Sequence, residues 1–168
     1  MKCDRLQECC QGELSEQPQL HCNRTGTCIS VSDCRGIVNC EENHRKYQYS
    51  NTKKHNVVLF RMDGGIIDEN TLKCDYLLVI RSEGMVGVLI ELKGTKVAHA
   101  IDQIRATLKE FPQFFSECKK VHARVVATQV VPKILLPNEI LLKKELLKHH
   151  GTLQIKSRLL IEKDTDLL

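Results

Sequence analysis

The sequence predicts an α/β fold in which a mixed central β-sheet is flanked by helices. Two apolar, β-rich runs at residues 74–80 and 85–90 are separated by turn-forming residues at 82–84. An amphipathic helical pattern follows over residues 95–111. The near-continuous apolar run at residues 121–131 is typical of a strand covered on both faces, as in α/β sheets.

Size and composition limit the possible classes of protein. A chain of 168 residues is long enough for one domain with a substantial core. Its formal net charge of +4 is compatible with a polyanionic partner, whereas an aromatic content of 4% without tryptophan argues against a base-stacking platform for single strands. Because the sequence contains neither an apolar leader nor a long apolar run, we expect a cytoplasmic protein without a membrane span.

The first 40 residues form a cysteine-rich extension ahead of a predicted domain at residues 41–168. Cys22, Cys28, Cys34 and Cys40 recur every six residues. In a reducing compartment such density favours metal ligation over disulfides, so Zn²⁺ or an iron–sulfur cluster is one interpretation. No C-x₂-C pair is present, and ordinary free thiols are the other interpretation.

The early part of the domain begins with polar residues. Residues 41–49 are predicted to form a short, solvated helix, and residues 56–67 a first core strand that ends in the Asp63-Gly64-Gly65 turn. Consecutive glycines permit a sharp reversal, so a hairpin into the next strand is expected.

The later elements follow from helix and turn signals. Thr95 is the expected N-cap of the helix at 95–111, and Pro112 begins a short continuation through residue 118. Asn138 is the expected cap of a helix at 139–150 that Gly151 ends. A last half-buried strand at 152–161 and a frayed tail complete the prediction.

Charged residues interrupt the two apolar strands in a specific pattern. Asp75 lies near the start of the first run, and Glu91-Leu92-Lys93 closes the second, with Glu91 and Lys93 on the same face of the strand. Burying two acids and a lysine is unfavourable unless they are paired or hold a metal. Carboxylates are hard oxygen ligands that suit Mg²⁺, so the pattern predicts a cation site.

These residues resemble the PD-(D/E)XK nuclease superfamily. Asp75 matches the acid of the pattern and Glu91-x-Lys93 matches its (D/E)xK element, although Cys74 stands where the family has proline. Gln103 matches by position a glutamine that completes the active site in RecB-like members, but the tyrosine that follows it there is missing.

The resemblance implies a restriction-endonuclease-like core and a set of roles. Asp75, Glu91 and the Leu92 backbone carbonyl would hold Mg²⁺ or Mn²⁺, Lys93 would position the attacking water, and Gln103 would support the site. In the family a helix before the first strand often lends a further acid, for which Glu41 or Glu42 is available.

The function expected from this resemblance is Mg²⁺-dependent phosphodiester hydrolysis by an endonuclease, as in restriction or phage defence. DNA is the expected substrate rather than RNA, and a homodimer or a partner protein would supply targeting. Two alternatives stay open. One is a non-catalytic nucleic-acid-binding or scaffold subunit with a nuclease-like fold, and the other is an interaction module organised by zinc at the cysteines.

Overall fold

The computed structural model describes residue 6 and residues 28–67, 70–129 and 136–168. The strands within these ranges are β1 (Ile29–Asp33), β2 (Ile37–Glu42), β3 (Arg45–Ser50), β4 (Asn56–Arg61), β5 (Tyr76–Ser82), β6 (Gly84–Lys93), β7 (Lys120–Ala127), β8 (Leu153–Ser157) and β9 (Leu159–Lys163). The helices with defined bounds are α1 (Val97–Glu110), α2 (Pro112–Glu117), α3 (Pro137–Lys148) and α4 (Asp164–Leu167). The mixed α/β class is therefore confirmed.

The larger sheet contains both antiparallel and parallel pairs. Its strand order is β1-β4-β5-β6-β7-β8. In this sheet β1, β4, β5 and β6 pair with one another in antiparallel fashion, whereas β6, β7 and β8 pair in parallel. The parallel pairs require crossovers, which α1, α2 and α3 provide. The predicted antiparallel pairing of the first two core strands is confirmed, but β4 ends at Arg61 rather than at residue 67, and residues 62–75 connect it to β5.

Side-chain alternation gives the larger sheet two buried faces. In β5, Leu77 and Val79 pack in the core beneath the helices. Leu78 and Ile80 point the opposite way, into a second core. That second core is covered by a separate three-stranded sheet of order β2-β3-β9. The central strands are consequently buried on both faces, which explains their near-continuous apolar sequences.

The helix predicted at residues 41–49 is wrong. These residues form the end of β2 and most of β3, which pair as an antiparallel hairpin. The burial of Val38, Cys40, Tyr47 and Tyr49 follows a two-residue period, as expected for strands with one face against the core. The polar residues that suggested a solvated helix lie mainly on the outer face of this hairpin.

Two predicted helix caps are also wrong. The N-cap of α1 is Lys96 rather than Thr95, and it makes no side-chain capping bond. Pro137 occupies the first turn of α3, where its missing N–H has no cost. Asn138 instead donates hydrogen bonds to the Ala98 carbonyl and to Asp102, at 2.9 and 3.1 Å.

The strand predicted at residues 152–161 is two strands in different sheets. β8 pairs with β7, whereas β9 pairs with β3. Arg158 lies between them with a positive φ of 62°, which breaks the extended backbone. The expected frayed tail forms α4, and Leu167 is buried.

The described part of the cysteine-rich extension belongs to the two sheets. Residues 28–40 include β1 and most of β2. Cys28 lies in the core beneath the helices, Cys40 lies in the core between the sheets, and Cys34 is exposed. These three thiols are not gathered into one cluster. Cys22, the fourth cysteine of the predicted metal site, lies outside the described residues.

A buried ion pair links the two sheets. Arg124 of β7 donates through Nε to both carboxylate oxygens of Glu162 in β9, at 2.9 and 2.7 Å. Tyr47 of β3 donates its hydroxyl to the same carboxylate at 3.0 Å. All three side chains are buried, so each charge depends on the other for compensation.

None of the described helices is long and apolar enough to cross a bilayer.

We expect Glu162→Ala to destabilise the fold by about 3–5 kcal/mol, because Arg124 would keep a buried, uncompensated charge. Glu139→Ala is the matched control, since it removes the solvent-facing ion pair with Lys143 on α3 and should cost about 0.5 kcal/mol or less. Urea unfolding of both variants measures the difference. Equal losses would contradict the role assigned to the buried pair.

Candidate functional site

The candidate site lies where β5 begins and β6 ends. Antiparallel pairing of Tyr76 with Ile90 brings the residue before β5, Asp75, next to the end of β6. The Asp75 N–H donates to Glu91 Oε2 at 3.0 Å, and the Leu92 N–H donates to Asp75 Oδ2 at 2.7 Å. These reciprocal bonds hold the two carboxylates in a fixed relation.

Lys93 joins the two acids on the same side of the sheet. Its Nζ lies 3.5 Å from Glu91 Oε1. The Glu91 side chain is 1% exposed and that of Lys93 is 28% exposed, so the carboxyl group is buried, whereas the lysine side chain is partly accessible to solvent. Apart from this ion pair, Glu91 Oε1 has no hydrogen-bond partner among the described residues. A buried acceptor in this state is unfavourable unless another group compensates for it.

Burial changes the protonation of both acids. Desolvation, with the nearby Asp75 charge second, raises the pKa of Glu91 to about 8, although Lys93 opposes the shift. Desolvation also raises the pKa of Asp75 to about 6, against the hydrogen bond from the Leu92 N–H. Strongly shifted carboxyl groups in contact with one another are typical of functional sites. Burial therefore favours the protonated form of Glu91.

Gln103 of α1 contacts the chain just before Asp75. Its Nε2 donates to the Lys73 carbonyl at 2.8 Å, and its Oε1 is buried without a partner. Because a carbonyl can only accept, this bond fixes which end of the amide faces Lys73. Thr107 fixes the same segment by accepting the Cys74 N–H at 2.9 Å. Gln103 thus contacts the segment that leads to Asp75, and the hydrogen bond that it donates is to Lys73 rather than to either acid.

A polar groove begins beside this segment. It has a volume of about 570 Å³, and its lining includes Arg61, Asp63, Lys73, His99 and Gln103. Lys73 Nζ lies 3.1 Å from Asp63 Oδ1 at the groove wall. The negative charge of Asp63 contributes to the raised pKa of Asp75, but Asp75, Glu91 and Lys93 do not line the groove.

The β2–β3 hairpin brings further charged residues to the site. The negative charge of Glu42 also raises the pKa of Asp75. Arg45 is buried and approaches the backbone of Gly94, just beyond Lys93: a Cβ added to Gly94 would lie 3.6 Å from Arg45 Nη1. From the sequence, Glu42 was expected only as a possible further acid on a helix, and no role was predicted for Arg45. The two-residue spacing of the aromatic side chains of Tyr47 and Tyr49 was the signal that could have placed this segment on a strand.

The donor set at the acid pair fits a hard divalent cation. The described residues contain no cluster of three or more histidine, cysteine, aspartate or glutamate side chains arranged for a metal. Mg²⁺, however, usually takes only one or two carboxylates and keeps several waters. Asp75 and Glu91 supply that number, and Glu91 Oε1, which accepts no hydrogen bond from the described residues, is a suitable ligand atom. The contribution of the Leu92 carbonyl stays a prediction.

Comparisons with known proteins identify no relative: no family model, no curated protein and no solved structure matches this chain.

We expect the metal-free protein to lose stability as the pH rises from about 4 to about 8. Because the pKa of Glu91 is about 8 in the folded protein, above its ordinary value of 4.5, folding takes up a proton in this interval. The stabilisation from this protonation is therefore complete below the pKa of Glu91 in the unfolded chain. It is lost as the pH rises through the pKa of Glu91 in the folded protein.

Glu91→Gln keeps the shape of the side chain but removes the group that titrates. The free energy of unfolding of this variant should therefore depend less on pH and should exceed that of the wild type near pH 8. Chemical denaturation in EDTA at a series of pH values checks this. Parallel pH profiles for the two proteins would show that Glu91 is not the titrating group.

Proposed function

We propose that this protein is a metal-dependent nuclease of the PD-(D/E)XK type that hydrolyses phosphodiester bonds in DNA. The observation that carries the proposal is the Asp75–Glu91 pair, in which Glu91 is buried and its Oε1, 3.5 Å from Lys93 Nζ, accepts no hydrogen bond from the described residues. A fold retains such a costly arrangement most readily when a ligand compensates for it.

The order of the elements supports the same proposal. Three antiparallel strands, β4, β5 and β6, are followed by α1, a parallel strand β7, then α3 and β8. This order resembles the restriction-endonuclease-like core expected from the sequence resemblance. Asp75 directly precedes the second of these antiparallel strands, β5, and the Glu-x-Lys element ends the third, β6.

Each residue of the pattern has a role that its geometry supports. A cation held by Asp75 and Glu91 would polarise a phosphoryl oxygen and lower the pKa of a bound water. The carboxylates are preorganised for this by the backbone bonds from Leu92 and Asp75 itself. Lys93 is exposed enough to meet a phosphate or an attacking water while staying within 3.5 Å of Glu91. Its charge can therefore stabilise the negative charge that develops during attack.

Gln103 and the groove support binding of the substrate beside the acids. Gln103 fixes the position of Lys73 and hence of the segment leading to Asp75. The groove is lined by nitrogen-bearing side chains from Arg61, Lys73 and His99 and by the carboxylate of Asp63. Such donors suit the phosphate oxygens of a nucleic-acid backbone, which supply sequence-independent affinity.

The test is cleavage of supercoiled, linear and single-stranded DNA and of RNA, with Mg²⁺, with Mn²⁺ and with EDTA. We expect Mg²⁺-dependent cleavage of DNA by the wild type and none by Asp75→Asn, which keeps the side-chain shape but removes a cation ligand. Absence of cleavage of every substrate would favour the non-catalytic nucleic-acid-binding subunit instead.

Lys93→Ala separates chemistry from binding in the same assay. We expect a loss of kcat on the order of 10²–10³, as for removal of one preorganised donor from a transition state, with little change in DNA affinity. Lys109→Ala, which removes an exposed lysine near the C-terminal end of α1, is the control and should cleave normally. A normal single-turnover rate for Lys93→Ala at saturating enzyme would exclude a catalytic role for this lysine.

A further inference from the structure

The turn between β2 and β3 is unusually constrained. Asn43 and His44 connect the strands directly, and both have positive φ, 46° and 62°. Two such residues form the tight turn that hairpins favour, but glycine normally occupies it more easily than histidine. The turn places Glu42 and Arg45 side by side, because these residues are paired across the hairpin.

Arg45 is nearly enclosed and poorly paired. It is 8% exposed, yet its Nε is buried and has no hydrogen-bond partner within the part of the chain that the structure describes. Its other contacts are long: Nη2 lies 3.3 Å from Glu42 Oε2, and Nη1 lies 3.5 Å from Thr128 Oγ1. A guanidinium has five N–H donors, so much of its hydrogen-bonding capacity is unused here.

Two other arginines in the described residues are paired more closely. Arg35 and Arg105 each use two nitrogen atoms to donate hydrogen bonds to both oxygens of one carboxylate group, at 3.0 Å or less. These are the close, bidentate pairs expected of an arginine with a structural role. Arg45 has only a single long contact with Glu42, whose side chain is 54% exposed. The ion pair between Arg45 and Glu42 is therefore weak, and another anion could replace Glu42 as the partner of Arg45.

The position of Arg45 connects it to the candidate site. The Thr128 N–H donates to the Gly94 and Lys93 carbonyls, at 2.8 and 3.2 Å, which joins the ends of β6 and β7. The Arg45 guanidinium lies against this junction, beside both Thr128 and Gly94. Glu42, its partner, acts electrostatically on Asp75. Arg45, a residue of the three-stranded sheet, thus lies at the end of β6, next to Gly94, which follows Lys93 in the chain.

We propose that Arg45 binds a backbone phosphate of the nucleic acid next to the one that is cleaved, and that Glu42 holds the guanidinium in place until the substrate arrives. The inference rests on the proposed nuclease function and adds a specific substrate contact to it. A phosphate offers the planar, multiple acceptors that Arg45 lacks, and exchange of one long ion pair for charge-assisted hydrogen bonds is favourable. The β2–β3 hairpin thereby forms one wall of the substrate site.

The test measures binding of a short fluorescein-labelled DNA duplex by fluorescence anisotropy, with Ca²⁺ in place of Mg²⁺ to prevent cleavage, over a series of salt concentrations. Arg45→Ala should weaken binding by about tenfold or more, the loss expected for a hydrogen bond to a charged group. It should also reduce the slope of log K against log salt by about one, because one phosphate contact is lost. Arg45→Lys should keep the slope but lose affinity, since an ammonium lacks the planar fork.

Lys46→Ala is the matched control, because Lys46 is the next residue of β3, on the face opposite to buried Arg45 and Tyr47. It should leave affinity and slope unchanged. Arg45→Ala binding like Lys46→Ala, or a wild type that does not bind the duplex, would overturn the inference. If Arg45→Ala does not fold, Arg45→Lys decides the matter, and wild-type affinity in that variant would overturn it.

Cleavage in Mg²⁺ by the same preparations separates the two proposals. Mg²⁺-dependent cleavage by the wild type together with unchanged binding by Arg45→Ala would refute only the role of Arg45. Arg45-dependent binding without any cleavage would support the phosphate contact and refute the nuclease.

Discussion

The structure of this site depends on the burial of Glu91 next to Asp75. A carboxylate that is 1% exposed, beside a second acid, is unfavourable in its charged form. Lys93 at 3.5 Å offsets this only in part, so the pKa of Glu91 rises to about 8. Burial therefore favours the protonated acid, and a cation that binds there competes with the proton.

The two-sheet architecture creates this environment. Since the larger sheet is covered by helices on one face and by the β2-β3-β9 sheet on the other, the ends of its central strands are shielded from water. The buried Arg124–Glu162 pair and Tyr47 connect the two sheets across the second core. The same connection holds the β2–β3 hairpin against the end of β6, where Glu42 and Arg45 reach the site.

The sequence predicted the elements whose local pattern agrees with their surroundings. β4 to β7 and α1 were foreseen because their apolar residues follow strand or helix periods along the whole element. The β2–β3 hairpin was missed because residues 41–49 are mostly polar, and the burial of Tyr47 depends on Glu162, 115 residues away in sequence. The division of residues 152–161 into two strands was missed for a similar reason. The break at Arg158 is set by pairing with two different sheets, which no local signal reports.

The candidate site was predicted in part. Asp75, Glu91 and Lys93 could be selected from the sequence because charged residues at the ends of apolar strands are conspicuous, and the structure brings these three together. Glu42, Asp63 and Arg45 could not be assigned in this way, since only the fold brings their strands and turns to the same edge.

The central claim is that a divalent cation binds at the Asp75–Glu91 pair by displacing a buried proton. Isothermal titration of the protein with Mn²⁺ at pH 7, repeated in buffers of different ionisation enthalpy, measures the protons released on binding. We predict release of nearly one proton per cation by the wild type, and its loss together with most of the affinity in Glu91→Gln. Cation binding without proton release, or binding that Glu91→Gln leaves unchanged, would contradict the claim.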